Sequence, residues 1–285
     1  MLPTFLHIGA GKCKSTWLYR VCLEHPDIYV PGQGYDNVNF FVNQYQRGLP
    51  YYEEKWFSDY RGEKVAGEFS NSYMAFEPAL QRIAKHLPDV KLTMTIMNPV
   101  HRIFYSWAHV HIKTKCRMTL FGETRAVSRV EVEDLLERCG MDPAQGVLPL
   151  PERLTHHHGH SFFRTYADSC LYAFCIDRIR RYFPADRLKV MLYEDLLADQ
   201  AAFLRDFFQF VGADDSFTST LAPEEVNPDP PLLEYERWFP PELRAQLVAE
   251  FRDDIEALQD LLDRDLSAWL DDSTTYDAEY CRRWR

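Results

Sequence analysis

The stretch Phe5-Leu-His-Ile-Gly-Ala-Gly-Lys-Cys-Lys-Ser-Thr-Trp-Leu-Tyr19 decides how this chain folds. Phe5, Leu6 and Ile8 make a short apolar run that predicts a buried strand, and Gly9-Ala10-Gly11 breaks it. Trp17, Leu18, Val21 and Cys22 then recur at helical spacing. Strand, glycine turn and helix in that order aim several backbone N–H groups and a positive helix end at one point, the geometry of an anion site. Lys12, Lys14, Ser15 and Thr16 add side-chain donors at the same place, so the expected ligand carries a phosphate. The ordinary phosphate loop G-x-x-x-x-G-K-[ST] does not fit. Counted from Gly9 its second glycine falls on Lys14, and counted back from Lys14-Ser15 its glycines fall on Ile8 and Cys13.

Outward from this loop the chain reads as one α/β domain with a central parallel sheet flanked by helices. Strand patterns at about 4–9, 64–67, 91–97 and 188–193 alternate with helical ones. Ala79, Leu80, Ile83, Ala84 and Leu87 form one apolar helical face over 79–87. Leu243, Leu247, Phe251, Ile255, Leu258, Leu262 and Leu266 form another over 240–270, a C-terminal helical region that Pro240-Pro241 suits as a start. Residues 114–164 carry scattered apolar positions and few strand signals, which predicts an insertion on the substrate side. Pro223 to Pro231 reads as a proline-rich loop.

Composition limits the function classes. The chain has 285 residues, 46% of them hydrophobic, enough for a sizeable core. A net charge of −11 disfavours nonspecific binding to nucleic acid or to an anionic membrane. It also argues against a highly sulfated polysaccharide as partner, while leaving room for a local basic pocket. No apolar run reaches the roughly 18 residues a membrane span needs, and no basic signal region precedes the first strand. The seven cysteines form no C-x-x-C pair and are odd in number, as in a reducing compartment; cytoplasmic localisation is the expectation.

The loop pattern G-x-x-K-x-x-[ST]-T resembles the 5′-phosphosulfate loop of sulfotransferases that use 3′-phosphoadenylyl sulfate (PAPS), G-x-x-K-[TCG]-G-T-[ST]. Gly9, Lys12, Ser15 and Thr16 match, and Lys14 replaces the usual glycine. The resemblance continues in order. His25-Pro26-Asp27-Ile28 is similar to H-P-x-[IL], Asp36-Asn37-Val38-Asn39-Phe40-Phe41 to K-E-x-x-F-F, and Gly67-Glu68-Phe69-Ser70-Asn71-Ser72-Tyr73 to G-E-K-[ST]-P-x-Y. Asn98-Pro99-Val100-His101-Arg102 resembles the 3′-phosphate motif R-[ND]-P-x-x-R-x-x-S; Ser169-x-x-Tyr172 opens a helix, and Tyr193-Glu194-Asp195-Leu196 resembles Y-E-D-L. The resemblance implies a P-loop-NTPase-like sulfotransferase fold and sulfuryl transfer from PAPS. The acceptor it implies is a hydroxyl, with an amine as second choice, on a small molecule or saccharide. A P-loop small-molecule kinase and a non-catalytic sulfotransferase-like module are the rival readings.

On the resemblance, Lys12 takes the leaving-group role, and Gly9, Ala10, Gly11, Cys13, Lys14, Ser15, Thr16 and Trp17 complete the 5′ side. Lys14 is either an extra phosphate contact or an exposed side chain. Asn98, Arg102 and Ser106 are the 3′-phosphate candidates, although Met97 stands at the leading arginine and the serine comes one place late. On a helix that step is a rotation of about 100°. Asn37 occupies the position of the family's glutamate base and cannot take a proton at neutral pH. The base candidates are therefore Glu68, His109 and Asp36, in that order, histidine being well tuned near pH 7. Asp36, Phe40, Tyr73, His158 and Tyr172 are acceptor-side candidates. The cluster His156-His157-His158-Gly159-His160 lacks metal-ligand spacing, so no metal is expected.

Overall fold

The computed structural model describes residues 1–32, 37–103, 105–106, 168–226 and 241–271. The chain forms two compact units, one of Met1–Met97 with Ile176–Pro228 and Trp284–Arg285, the other of Asn98–Cys175 with Asp229–Arg283. The described strands are β1 (Phe5–Gly9), β2 (Ile28–Tyr29), β3 (Val65–Phe69), β4 (Lys91–Ile96) and β5 (Leu188–Leu192). The α-helices with assigned bounds are α1 (Ser15–Glu24), α2 (Gly48–Phe57), α3 (Glu77–His86), α4 (Tyr172–Arg180), α5 (Tyr193–Ala198), α6 (Gln200–Val211), α7 (Pro223–Val226) and α8 (Pro241–Leu262).

All the described strands belong to the first unit and pair in parallel in the order β2-β3-β1-β4-β5. The expected parallel sheet is present, and every residue of β1 and β3 is buried. Burial on both faces is why these strands read as continuous apolar runs rather than alternating ones. Helices cover the two faces. Phe5 meets Phe207 of α6 edge-on at 5.8 Å, and Phe69 meets Tyr19 of α1 at 5.6 Å. Glu68, next to Phe69 and so pointing the other way, meets Tyr52 of α2. β1 is central, and the order reverses around it. In such sheets the crevice at the carboxyl end of the strands is the natural ligand position, and there β1 runs into the Gly9–Lys14 turn.

Helix α3 starts at Glu77 rather than 79 because Pro78 suits a first turn. α2, which the sequence reading did not predict, buries Tyr52, Trp56 and Phe57 on one side. The proline-rich segment opens with the helical turn α7 instead of a loop; its residues from 227 on lie outside the described ones. In the second unit α8 buries Leu247, Phe251, Ile255 and Leu258, as the periodicity predicts. A 3-10 turn, Ser267–Leu270, follows it and buries Trp269. Asp254 of α8 accepts the N–H groups of Ala173 and Phe174 at 3.1 Å each, placing a carboxylate at the positive end of α4. No helix among the described residues is long and apolar enough to cross a membrane.

Candidate functional site

The turn between β1 and α1 is built by backbone demands that the sequence meets only in part. At Gly9, φ is +151°, and a Cβ would lie 2.4 Å from Met74 Sδ and 3.2 Å from the Asn71 carbonyl oxygen. Only glycine fits there. Further on, Lys12 (φ 76°) and Lys14 (φ 59°, ψ 26°) both occupy the left-handed region. The resembling motif has glycine at position 14, and this dihedral is the physical reason; a lysine there costs about 1–2 kcal/mol. Helix α1 then starts at Ser15 with no side-chain cap and no acidic residue in its first turn. The N–H groups of a first turn have no acceptor within their own helix. The helix end and two lysines thus concentrate positive charge on one short turn. Lys14 is only 5% exposed, which rules out the solvated alternative for its side chain.

Other predicted loop residues serve the fold. Ala10 N–H donates to the Thr95 carbonyl at 2.8 Å, continuing the sheet. Cys13 is buried, its Sγ 4.0 Å from the Gly11 carbonyl. Trp17 corrects an expectation. Its side chain is a core group, with the ring centroid 6.2 Å from Phe203 and the indole N–H donating to the Leu221 carbonyl at 2.8 Å, which leaves only its backbone N–H for a ligand.

Glu68, the first-ranked base candidate, is fully buried. Tyr52 Oη donates to its Oε2 at 2.5 Å and Ser70 Oγ to its Oε1 at 2.8 Å. Burial pushes its pKa up to about 7, against the opposing pull of hydrogen bonds from Tyr52, Tyr73 and Ser70. A carboxyl with no exposed surface and hydroxyls on both oxygens does not reach an acceptor molecule, so the catalytic reading of Glu68 is corrected to an internal one. Phe40 and Tyr73 are corrected likewise. Phe40 is stacked on Tyr52 at 4.3 Å, and Tyr73 Oη accepts from the Phe41 N–H at 3.1 Å, both side chains in the core. These contacts hold the 37–41 segment along the end of β3, where the Val38 N–H also donates to the Phe69 carbonyl and the Asn39 N–H to Ser70 Oγ.

Asn37 and Asn71 were not among the predicted site residues, yet both belong to the surroundings of the loop. Asn71 Nδ2 donates to Ser15 Oγ at 3.1 Å and to Asn37 Oδ1 at 3.1 Å. The available signal was that each departs from its motif: asparagine stands in place of glutamate at 37 and of proline at 71.

The 3′-phosphate candidates lie in the second unit. Asn98 Oδ1 accepts the N–H groups of Val100 at 2.9 Å and His101 at 3.4 Å, capping the helical segment that Pro99 opens. Arg102 is 5% exposed, and its NH1 donates to the Ser169 carbonyl at 2.5 Å and to Ser169 Oγ at 2.9 Å, with Cys170 Sγ at 3.2 Å. Its guanidinium also stands 6.0 Å from the Tyr172 ring centroid. Asn98 and Arg102 thus serve their own unit through these contacts, and Ser106 is half-buried. Burial and then the Arg244 guanidinium hold the pKa of His101 well below the ordinary histidine range. Tyr172 is fully buried, 6.4 Å from Trp269 between ring centroids, and is corrected from acceptor contact to core. His109, Asp36, His158 and the 114–164 segment lie outside the described residues. No group of three or more histidine, cysteine, aspartate or glutamate side chains able to hold a metal occurs among the described residues.

A central parallel sheet whose strand β1 runs through a glycine turn into α1 defines a P-loop-like α/β fold. No family model matches the chain. Over 226 residues it is 27% identical to the bifunctional heparan sulfate N-deacetylase/N-sulfotransferase 4 of Mus musculus, covering 74% of this chain and 22% of that protein. Over 112 residues it is 30% identical to the heparan sulfate glucosamine 3-O-sulfotransferase 6 of Homo sapiens, covering 39% of this chain and 32% of that one. The chain thus spans only these minor parts of the curated relatives it matches. A solved sulfotransferase from Alicyclobacillus acidocaldarius superposes with a TM-score of 0.71 at 25% identity, over 94% of this chain and 99% of that one. In motif, sequence and fold together, the chain is similar to sulfotransferases.

Proposed function

We propose that this protein transfers a sulfuryl group from PAPS to a hydroxyl, with an amine as second choice, of a small molecule or saccharide, within one sulfotransferase domain over 1–285. The observation that carries the reading is the Gly9–Lys14 turn: a backbone cradle closed to any side chain at Gly9, two lysines, and the uncapped start of α1. These residues fit the 5′ end of the donor. When bound, PAPS supplies an activated sulfuryl group and leaves as adenosine 3′,5′-bisphosphate. Lys12, a mobile point charge, is suited to neutralise charge that develops on the departing phosphate. The hydroxyls of Ser15 and Thr16, with the first-turn amides of α1, would hold the phosphate.

Because Glu68 is internal, acceptance of the acceptor's proton falls in this reading to His109 or Asp36. A saccharide acceptor is supported by relatives named for heparan sulfate. The net charge of −11 favours a single neutral or cationic acceptor over a polysulfated chain. Among the described residues Cys13, Cys22, Cys170 and Cys175 are buried and outside any disulfide, which suits the cytoplasm proposed here.

Calorimetric titration with adenosine 3′,5′-bisphosphate tests the donor assignment. Saturable binding at micromolar ligand is expected, and heats indistinguishable from dilution at millimolar ligand would overturn it. Transfer of labelled sulfate from PAPS to a panel of hydroxyl and amine acceptors then tests the reaction.

A further inference from the structure

The two departures from the sulfotransferase motifs at Asn37 and Asn71 touch each other, and together they reach the anion-binding turn. Asn37 Oδ1 accepts from the backbone N–H of Asn71 at 3.3 Å and from its Nδ2 at 3.1 Å. The second hydrogen of Asn71 Nδ2 goes to Ser15 Oγ at 3.1 Å. The polarity of this chain of bonds follows from donor and acceptor counting. A backbone N–H can only donate, so the Asn37 atom facing it is the oxygen. An oxygen at Asn37 requires the NH2 of Asn71 rather than its carbonyl. That NH2 requires Ser15 Oγ to accept, which leaves the Ser15 hydroxyl hydrogen for another acceptor. Asn71 is 7% exposed and Ser15 6%, so neither amide nor hydroxyl is oriented mainly by bulk water.

We propose that Asn71 is a positioning residue for the donor, braced by Asn37: by donating to Ser15 Oγ it reserves the Ser15 hydroxyl hydrogen for an anionic oxygen held at the Gly9–Lys14 turn. The inference rests on the donor reading above. A neutral amide pair does this where a carboxylate at either position would take the serine hydrogen itself or add negative charge beside the anion. It also gives Asn37 a role at a position where the family's glutamate would accept a proton.

A double-mutant cycle in affinity for adenosine 3′,5′-bisphosphate tests the proposal. Ser15→Ala and Asn71→Ala are each expected to weaken binding by about tenfold, the value of one hydrogen bond to a charged group. The double variant should bind no worse than Ser15→Ala, because Asn71 acts through that hydroxyl. The isosteric Asn71→Asp, which keeps the shape of the side chain, guards against a folding artefact. It should melt close to the parent while binding more weakly than Asn71→Ala, and parent-like binding by Asn71→Asp would overturn the proposal. So would losses that simply add in the double variant, or Ser15→Ala binding that matches the parent. If the parent protein itself fails to bind the bisphosphate, the donor reading falls and this inference with it; parental binding with additive losses overturns the inference alone.

Discussion

The Gly9–Lys14 turn and the Asn98–Arg102 segment are both motif-bearing stretches at the end of a strand's sequence, but they use their polar residues in opposite ways. In the turn, strained backbone and a glycine that tolerates no Cβ hold two lysines and an uncapped helix start together. In the 98–102 segment Asn98 Oδ1 caps its own helix and Arg102 NH1 is bonded to Ser169. The first arrangement lowers stability and concentrates charge, which suits the donor site proposed there. The second gives a buried guanidinium an acceptor set and so stabilises. The same kind of motif match therefore carries a functional argument in one region and a structural one in the other.

The largest effect expected from this contrast is at Lys12. Lys12→Ala should lower turnover about 10²–10³-fold, as removal of a group stabilising developing charge does, with an unchanged melting temperature; turnover within a factor of three of the parent would remove Lys12 from the chemistry. Next comes Glu68, buried on β3. Burial raises its folded pKa from 4.5 to about 7, so the folded state holds the proton more tightly than the unfolded one. Its stability contribution is intact below pH 4.5, is lost as pH rises towards 7, and is level beyond, a change of order 3 kcal/mol. Urea unfolding at pH 5 and pH 8 should show that decline, and Glu68→Gln should flatten it.

Arg102→Ala should destabilise by about 2–3 kcal/mol because a buried carbonyl loses a charged partner, as read from urea midpoints. Intact stability combined with weaker bisphosphate binding would move Arg102 to the ligand side and collapse the comparison. The smallest effect belongs to Lys14→Gly. Relief of the left-handed backbone should raise stability by about 0.5–1 kcal/mol, while loss of the ammonium lowers bisphosphate affinity. The two changes in opposite directions, one by thermal melt and the other by titration, would separate backbone strain from charge at that position.

The elements were legible where one short window contained their cause. β1, the glycine break and α1 are contiguous, and β3, β4 and β5 are apolar runs bounded by polar residues. β2, only Ile28–Tyr29, is too short for periodicity to register. α2 was hidden because Gly48 and Pro50 in its first turn read as breakers, although a proline there costs no hydrogen bond.

By itself the amino-acid sequence determined the order of β1, α1, β3, α3, β4 and β5, the glycine turn after β1 with Lys12 in it, and the sulfotransferase likeness. Each of these rests on neighbouring residues, through backbone preference and apolar spacing. Only the tertiary structure decided what the polar and aromatic candidates touch. It buried Trp17, Phe40, Tyr73 and Tyr172, enclosed Glu68 between hydroxyls, and set Arg102 on Ser169. It also joined Asn71 to Ser15 across 56 positions and to Asn37 across 34. A hydrogen bond depends on distance and direction between two side chains, and no local pattern records where the fold will bring a partner that far away in sequence.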